Sequence, residues 1–292
     1  MAVLALPQAN VERRRMKSVR HFLRDPKAQI ASFVLGIYIV CALVGPQISP
    51  HGENDQDLSH SLEAPSIQHP FGTDQLGRDL LSRTIYGARV SVTIGLLAVA
   101  LAIAVGLPLG LVSGYFGGWL DAVVMRFVDA WMSFPALILV LSIVAILGSS
   151  LLNVMIAIGL ASFPVFARLI RAQTISNKET DFVLAARSLG ATTYRILWRH
   201  ILPNSIQPVV VQASLLIGGA VLAEAGLSFL GLGARPPTAT WGLIISEGFP
   251  VVRLSPWPTV FPGVLIFLFV LSANFMGDRL RDTLDPRLRG KI

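Results

Sequence analysis

Long apolar runs, not an alternation of polar and apolar positions, set the pattern of this chain. Five stretches lack Asp, Glu, Lys and Arg altogether: Ala28–His51, Val90–Leu120, Ala130–Ala167, Ile201–Ala223 and Leu254–Gly277. A helix of about 20 largely apolar residues crosses the hydrocarbon of a bilayer, and each stretch is long enough. The third holds 38 residues, too many for one crossing, and the turn-forming Gly148-Ser149-Ser150, with Asn153 behind it, divides it. The pattern predicts an all-α integral membrane protein with six transmembrane helices, at 28–50, 90–113, 121–147, 152–172, 205–229 and 256–277.

Charge placement orients these spans. Lys and Arg accumulate in short loops on the cytoplasmic side. The segment 1–27 carries Arg13, Arg14, Arg15, Lys17, Arg20, Arg24 and Lys27 against Glu12 and Asp25, so it is placed inside. Six crossings return the tail 279–292 to the same side. On that topology 19 of the 24 Lys and Arg residues face the cytoplasm, and only Arg78, Arg83, Arg89, Arg235 and Arg253 lie outside, in the loops 51–89 and 230–255. The alternative reading of the first apolar segment, a cleaved signal peptide, is disfavoured. No small-x-small pattern follows promptly, and Val40 is too bulky for a lipoprotein site at Cys41.

Composition sharpens the class. Of 292 residues 53% are hydrophobic and 14% charged, whereas soluble domains carry about 25% charged residues. That excludes an ordinary soluble enzyme, and disorder with it. The net charge of +7 would suggest nucleic acid in a soluble protein; sorted by side it is an orientation signal, and no nucleic-acid partner is expected. The single cysteine, Cys41, excludes an internal disulfide.

Within this frame a few positions stand out. The outer loop's second half, Thr73–Arg89, has Leu76, Leu80, Leu81, Ile85 and Tyr86 at helical spacing, and reads either as an amphipathic helix along the membrane surface or as a short helix capping the bundle. Gly106, Gly110 and Gly114 form a doubled G-x-x-x-G, a groove for close helix packing within the chain or across subunits. Glu224, near the outer end of the fifth span, is the main ionisable residue within the spans, a candidate for an outer gate or for a structural hydrogen bond. No G-x-x-x-x-G-K-[ST], H-E-x-x-H or G-x-S-x-G is present, and His21, His51, His60, His69 and His200 are scattered without metal-ligand spacing. No catalytic residue, metal site or cofactor is expected in this chain, which reads as a membrane pathway without an engine of its own.

The inside loop 173–204 is where a drive would enter. Thr180–Gly190 reads as a short helix, with Thr180 as its cap, Asp181 at the positive end of its dipole and Gly190 as a left-handed stop. A second short helix, Thr193–Leu202, is expected to end at Pro203. Ala185, Ala186, Gly190, Leu202 and Pro203 resemble the EAA loop of bacterial ABC importer permeases (E-A-A, three residues, G, nine residues, I-x-L-P), with Leu184 in place of Glu and His200 in place of Ile. The form A-A-R-S-L-G followed by R-H-I-L-P-N, with Arg187 in its first half, is similar to the dipeptide, oligopeptide and nickel branch of that family. Phe71–Asp79 (FGTDQLGRD), Glu224–Gly233 (EAGLSFLGLG) and the ending Gly277–Asp282 with Leu284-Asp285-Pro286 resemble its C-type chains.

That resemblance implies a type I ABC importer permease fold in the bacterial inner membrane, with both termini cytoplasmic. It implies a heterodimer with a homologous B-type permease, two ABC ATPase subunits that bind ATP and Mg, and an extracytoplasmic substrate-binding protein. Leu184, Ala185, Ala186, Arg187, Gly190, His200, Leu202 and Pro203 would then couple the spans to the ATPases. Permeases for nickel chelates, glutathione and opines are of the same type, so the substrate stays open among these and di- or oligopeptides. A stand-alone channel or secondary carrier is the more remote alternative, and an intramembrane enzyme lacks a nucleophile-base pair.

Overall fold

A computed structural model describes residues 25–284, and all its regular elements are helical. The basic tail before Asp25 and the ending Asp285-Pro286 lie outside the described residues. Helix α1 spans Pro26–Ile48, α2 Leu80–Phe116, α3 Gly118–Met132, α4 Ala136–Leu147, α5 Leu151–Lys178, α6 Asp181–Ser188, α7 Thr193–Phe229, α8 Trp241–Gly248 and α9 Trp257–Leu284. Among the described residues α1, α2, α5, α7 and α9 are each long and apolar enough to cross a bilayer, and α3 with α4 makes a sixth candidate.

That sixth candidate covers the span expected at 121–147, as two helices. Its two halves meet at 89°, because Pro135 disfavours helical backbone at Phe134 and cannot donate to a helix passing through it. The α4–α5 turn falls where Gly148 permits it, at φ +91°. There Ser150 caps α5 by accepting from the Asn153 N–H, and Asn153 Nδ2 donates to the carbonyls of Leu147 and Gly148, each at 2.8 Å.

Two further boundaries move. No separate amphipathic helix forms over Thr73–Arg89. Residues 73–79 make a turn closed by pairing of Thr73 with Asp79, and Asp79 caps a helix that continues unbroken into the second span. That helix, α2, has 37 residues and is about 55 Å long. Pro203 does not end a short helix either. Ile196–Ile201 widens into a π-helical turn in which the Leu202 N–H donates to the carbonyl of Leu197, and the chain continues through Pro203 into α7. The wider turn accommodates the proline ring. Asn204 Nδ2 donates to the His200 carbonyl at 2.6 Å and Ser205 Oγ to that of Ile201 at 2.9 Å.

The core lies along α2, α5 and α7, with Ala98, Ala102, Ile158, Phe166, Ile170, Ile201 and Val209 among its buried residues. Gly106, Gly110 and Gly114 face α5: a Cβ on Gly106 would stand 2.5 Å from the Phe163 carbonyl oxygen, and one on Gly110 2.5 Å from that of Ala167. On the other side α1 joins α9 through Tyr38, whose hydroxyl donates to the Leu265 carbonyl at 2.7 Å and whose ring meets those of Phe269 and Trp241 edge-on. Arg279 of α9 pairs with Asp25 at 3.0 Å, so the start of α1 and the end of α9 share one end of the bundle.

Candidate functional site

The two ends of the bundle differ in chemistry. At one end α6 and the turn after it form a knob. Asp181 lies in the first turn of α6, but the Thr180 hydroxyl donates to the Asn177 carbonyl at 2.6 Å instead of capping the helix. Gly190, at φ +76°, closes α6: the N–H of Ala191 reaches back to Ala186 and that of Gly190 to Arg187. This is the left-handed stop that a side chain resists. Val183, Ile196 and Ile201 are fully buried in the main core and fix the knob to α7. The outer face mixes apolar and basic groups: Phe182, Leu184, Leu189, Tyr194 and Trp198 are exposed, Leu189 at 88%, and Arg195 and Arg199 are exposed beside them. Ala185 and Arg187 are exposed and Ala186 half-buried on the same short helix. The Arg187 guanidinium stands 5.8 Å from the ring of Tyr115, at the end of α2. His200, half-buried, and Leu202 and Pro203 lie on the π turn and just after it.

At the opposite end, residues 49–79 fold over the start of α2 and against α8. Arg78 donates to Asp74 at 2.6 Å and to Glu247 at 2.8 Å, and fully buried Arg83 donates to the same Glu247 oxygen at 3.0 Å. Glu53 accepts from the Ala239 N–H. Gly72 and Gly77 hold positive φ, and a Cβ on either would run into the backbone of Glu63 or Asp57. The FGTDQLGRD stretch thus has a structural basis: two glycines for the turns, Asp74 and Arg78 for the ion cluster, and Asp79 for the cap. In the same loop Asp57 accepts from Ser59 and His60, which lowers its carboxyl to about 2, the Ser59 bond contributing most. Its bond to His60 raises that imidazole above the usual histidine range.

Three histidines remote in sequence meet in this cap. The rings of His51 and His69 stack at 5.1 Å between centroids, and those of His60 and His69 lie 6.1 Å apart. His51, His69 and Asp79 each offer an atom within 4.8 Å of the others. Spacing along the chain carries no trace of this, because the long loop 49–79 brings them together.

Glu224 links the spans to the cap. Fully buried, its carboxylate accepts from Ser228 Oγ at 2.7 Å and from Ser91 Oγ at 3.0 Å, joining α7 to α2. Ser228 Oγ in turn accepts from the Ala234 N–H at 3.2 Å. A Cβ on Gly233 would overlap Ser228 Oγ, and Gly231 turns at φ +76°. The EAGLSFLGLG stretch is therefore the hydrogen-bonded exit of α7.

The comparisons agree with this architecture. Residues 106–290 match the family described as binding-protein-dependent transport system inner membrane component, and residues 16–65 the N-terminal transmembrane domain of oligopeptide transport permease C. The dipeptide transport system permease protein DppC of Alkalihalophilus pseudofirmus is 40% identical over 94% of this chain and 90% of its own length. The glutathione transport system permease protein GsiD of Escherichia coli is 43% identical over 93% and 90%. The fold is similar to that of a chain of the MetNI methionine ABC transporter in an inward-facing conformation, with TM-score 0.57 and 20% identity over 70% of this chain and 98% of that one. An apolar multi-helix bundle with a knob at one end and a cross-linked cap at the other is thus a multi-pass inner membrane protein, and the chain belongs to the binding-protein-dependent transport system inner membrane component family, as an ABC importer permease.

Proposed function

We propose that this chain forms half of the pathway by which an ATP-driven importer moves short peptides inward. A homologous B-type permease completes the pathway, a binding protein delivers the peptide to the cap, and two ATPase subunits holding ATP and Mg dock on the knob in the cytoplasm. The names of the relatives, one for dipeptides and one for the tripeptide glutathione, support a short peptide as cargo.

The knob carries this reading. It presents Leu184, Leu189, Tyr194 and Trp198 to whatever lies below, yet its inner face is locked into the core by Val183, Ile196 and Ile201. Force applied to α6 passes through the π turn into α7, one continuous helix of 37 residues from knob to cap. A partner that contacts α6 differently in its open and closed states biases the position of α7 in proportion to that difference. At the far end α7 is joined through Glu224 to α2 and through Ser228 to the cap, so the movement reaches the outer side.

The test is a reconstituted transporter containing its ATPases and binding protein. Gly190→Arg forces a side chain into φ +76°, and Ala186→Arg places a bulky charge on the docking helix. Each is expected to leave assembly and basal ATP hydrolysis in place while abolishing peptide-stimulated hydrolysis and uptake. Uptake at the wild-type rate in both variants would overturn the coupling role. A transporter that couples normally but takes up neither dipeptide nor glutathione would overturn the cargo alone.

A further inference from the structure

We propose that His51, His69 and Asp79 form a binding site for a divalent transition-metal ion of the zinc type in the cap. The site does not rest on the importer reading. Its three residues come from three places: the chain just after α1, the middle of the loop, and the cap position of α2.

Asp79 is held in place before any ion arrives. Its side chain is 1% exposed, and Oδ2 accepts from both the N–H and the hydroxyl of Ser82 at 2.7 Å. Ser82 Oγ also accepts from the backbone N–H of His51 at 3.1 Å, tying that residue to the same carboxylate. His69 is nearly as fixed: its backbone N–H donates to Ser66 Oγ at 3.0 Å, and its Nδ1 stands 2.9 Å from Asp79 Oδ1. The ring of His51 completes the group without a bond to Asp79, since its Nδ1 lies 3.8 Å from Oδ2, beyond hydrogen-bonding distance. Two imidazoles therefore crowd one carboxylate that only His69 engages directly. A shared cation satisfies both.

Distances fit a small ion. Zinc–nitrogen bonds of about 2 Å in tetrahedral geometry place two ligating imidazoles with ring centres about 5 Å apart; His51 and His69 stand at 5.1 Å. His69 Nδ1 and Asp79 Oδ1 already stand 2.9 Å apart, so what remains is to bring the His51 donor from within 4.8 Å to about 3.3 Å of the other two. His51, whose side chain is 41% exposed, is free to make most of that movement. Two nitrogen donors and one carboxylate suit zinc and its neighbours in the first transition row, whereas calcium and magnesium take oxygen shells. Bound there, the ion would staple the end of α1 and the outer loop to the start of α2, so that metal outside the cell would tighten the cap.

The experiment uses the full chain in detergent, purified with a histidine-free tag and stripped by chelator, with zinc as the probe. Calorimetric titration is expected to show one saturable site per chain, and thermal unfolding a higher midpoint with zinc than without. His51→Ala is expected to weaken binding by at least about tenfold and to abolish the zinc-dependent rise. Its metal-free midpoint reports whether the fold is intact. His60→Ala, which removes the neighbouring ring outside the triad, is expected to bind as wild type. Absence of saturable binding, wild-type affinity in His51→Ala, or loss of binding in His60→Ala would each overturn the assignment.

Discussion

Gly110 sets the distance between α2 and α5. A Cβ there would lie 2.5 Å from the Ala167 carbonyl oxygen, 2.8 Å from Ile170 Cβ and 2.9 Å from the Arg171 nitrogen, all of them groups that cannot swing away. Gly219, on α7, has nothing within 4 Å of the same position. Gly110→Ala is therefore expected to cost about 1–3 kcal/mol, while Gly219→Ala is neutral or stabilising by up to about 1 kcal/mol, as alanine is the better helix former. Unfolding midpoints of the two variants in one detergent check the contrast; equal midpoints would contradict the packing described. At this scale much was legible in advance. The four-residue glycine spacing, Asp181 and the stop at Gly190 each follow from local stereochemistry. The meeting of His51, His69 and Asp79, the sharing of Glu247 by Arg78 and Arg83 and the Glu224 bond to Ser91 are contacts between remote segments, which no local pattern encodes.

Elements were harder to delimit than to detect. A search for charge-free runs finds the five long helices but trims those that carry charged residues into their ends, as at Leu80–Arg89 and Thr174–Lys178. It also passes over Ser133-Phe134-Pro135, since phenylalanine and proline add no charge, and so misses the 89° break between α3 and α4. Once α3 leaves the line of α4, it needs its own attachment. Trp131 Nε1 donates to the Leu160 carbonyl at 2.9 Å, Arg168 pairs with Asp129 at 2.6 Å, and Arg171 meets Asp121 through two bonds of 2.5 and 2.6 Å. The last pair is bidentate and partly buried, so Asp121→Ala is expected to cost about 1 kcal/mol after screening by solvent. The exchange Asp121→Arg with Arg171→Asp is expected to recover part of the loss. A double-mutant cycle on unfolding free energy measures the coupling; a coupling of zero would mean that α3 is held by Trp131 and apolar packing alone.

For the whole molecule the decisive property is polarity along the membrane normal. The knob, the Asp25–Arg279 pair and the α2–α3 junction share one end, and the cap occupies the other. From the charge bias of the loops we propose that the first end faces the cytoplasm. With Cys41→Ser as background, Ile67→Cys in the cap, where Ile67 is 100% exposed, and Tyr194→Cys on the knob, where Tyr194 is 72% exposed, can be probed with a membrane-impermeant maleimide. Labelling of I67C in intact spheroplasts, and of Y194C only after permeabilisation, is the expected result; the reverse would invert the topology.

The glycine seam also limits how this chain can change length. Gly95 faces α7, whereas Gly106, Gly110 and Gly114 face α5, and all four lie on one uninterrupted helix. Inserting or deleting a single residue between Gly95 and Gly106 would rotate one set against the other by about 100° and drive side chains into the partner backbones at three successive turns. Along that part of α2, the chain is closed to insertions and deletions that do not restore whole turns.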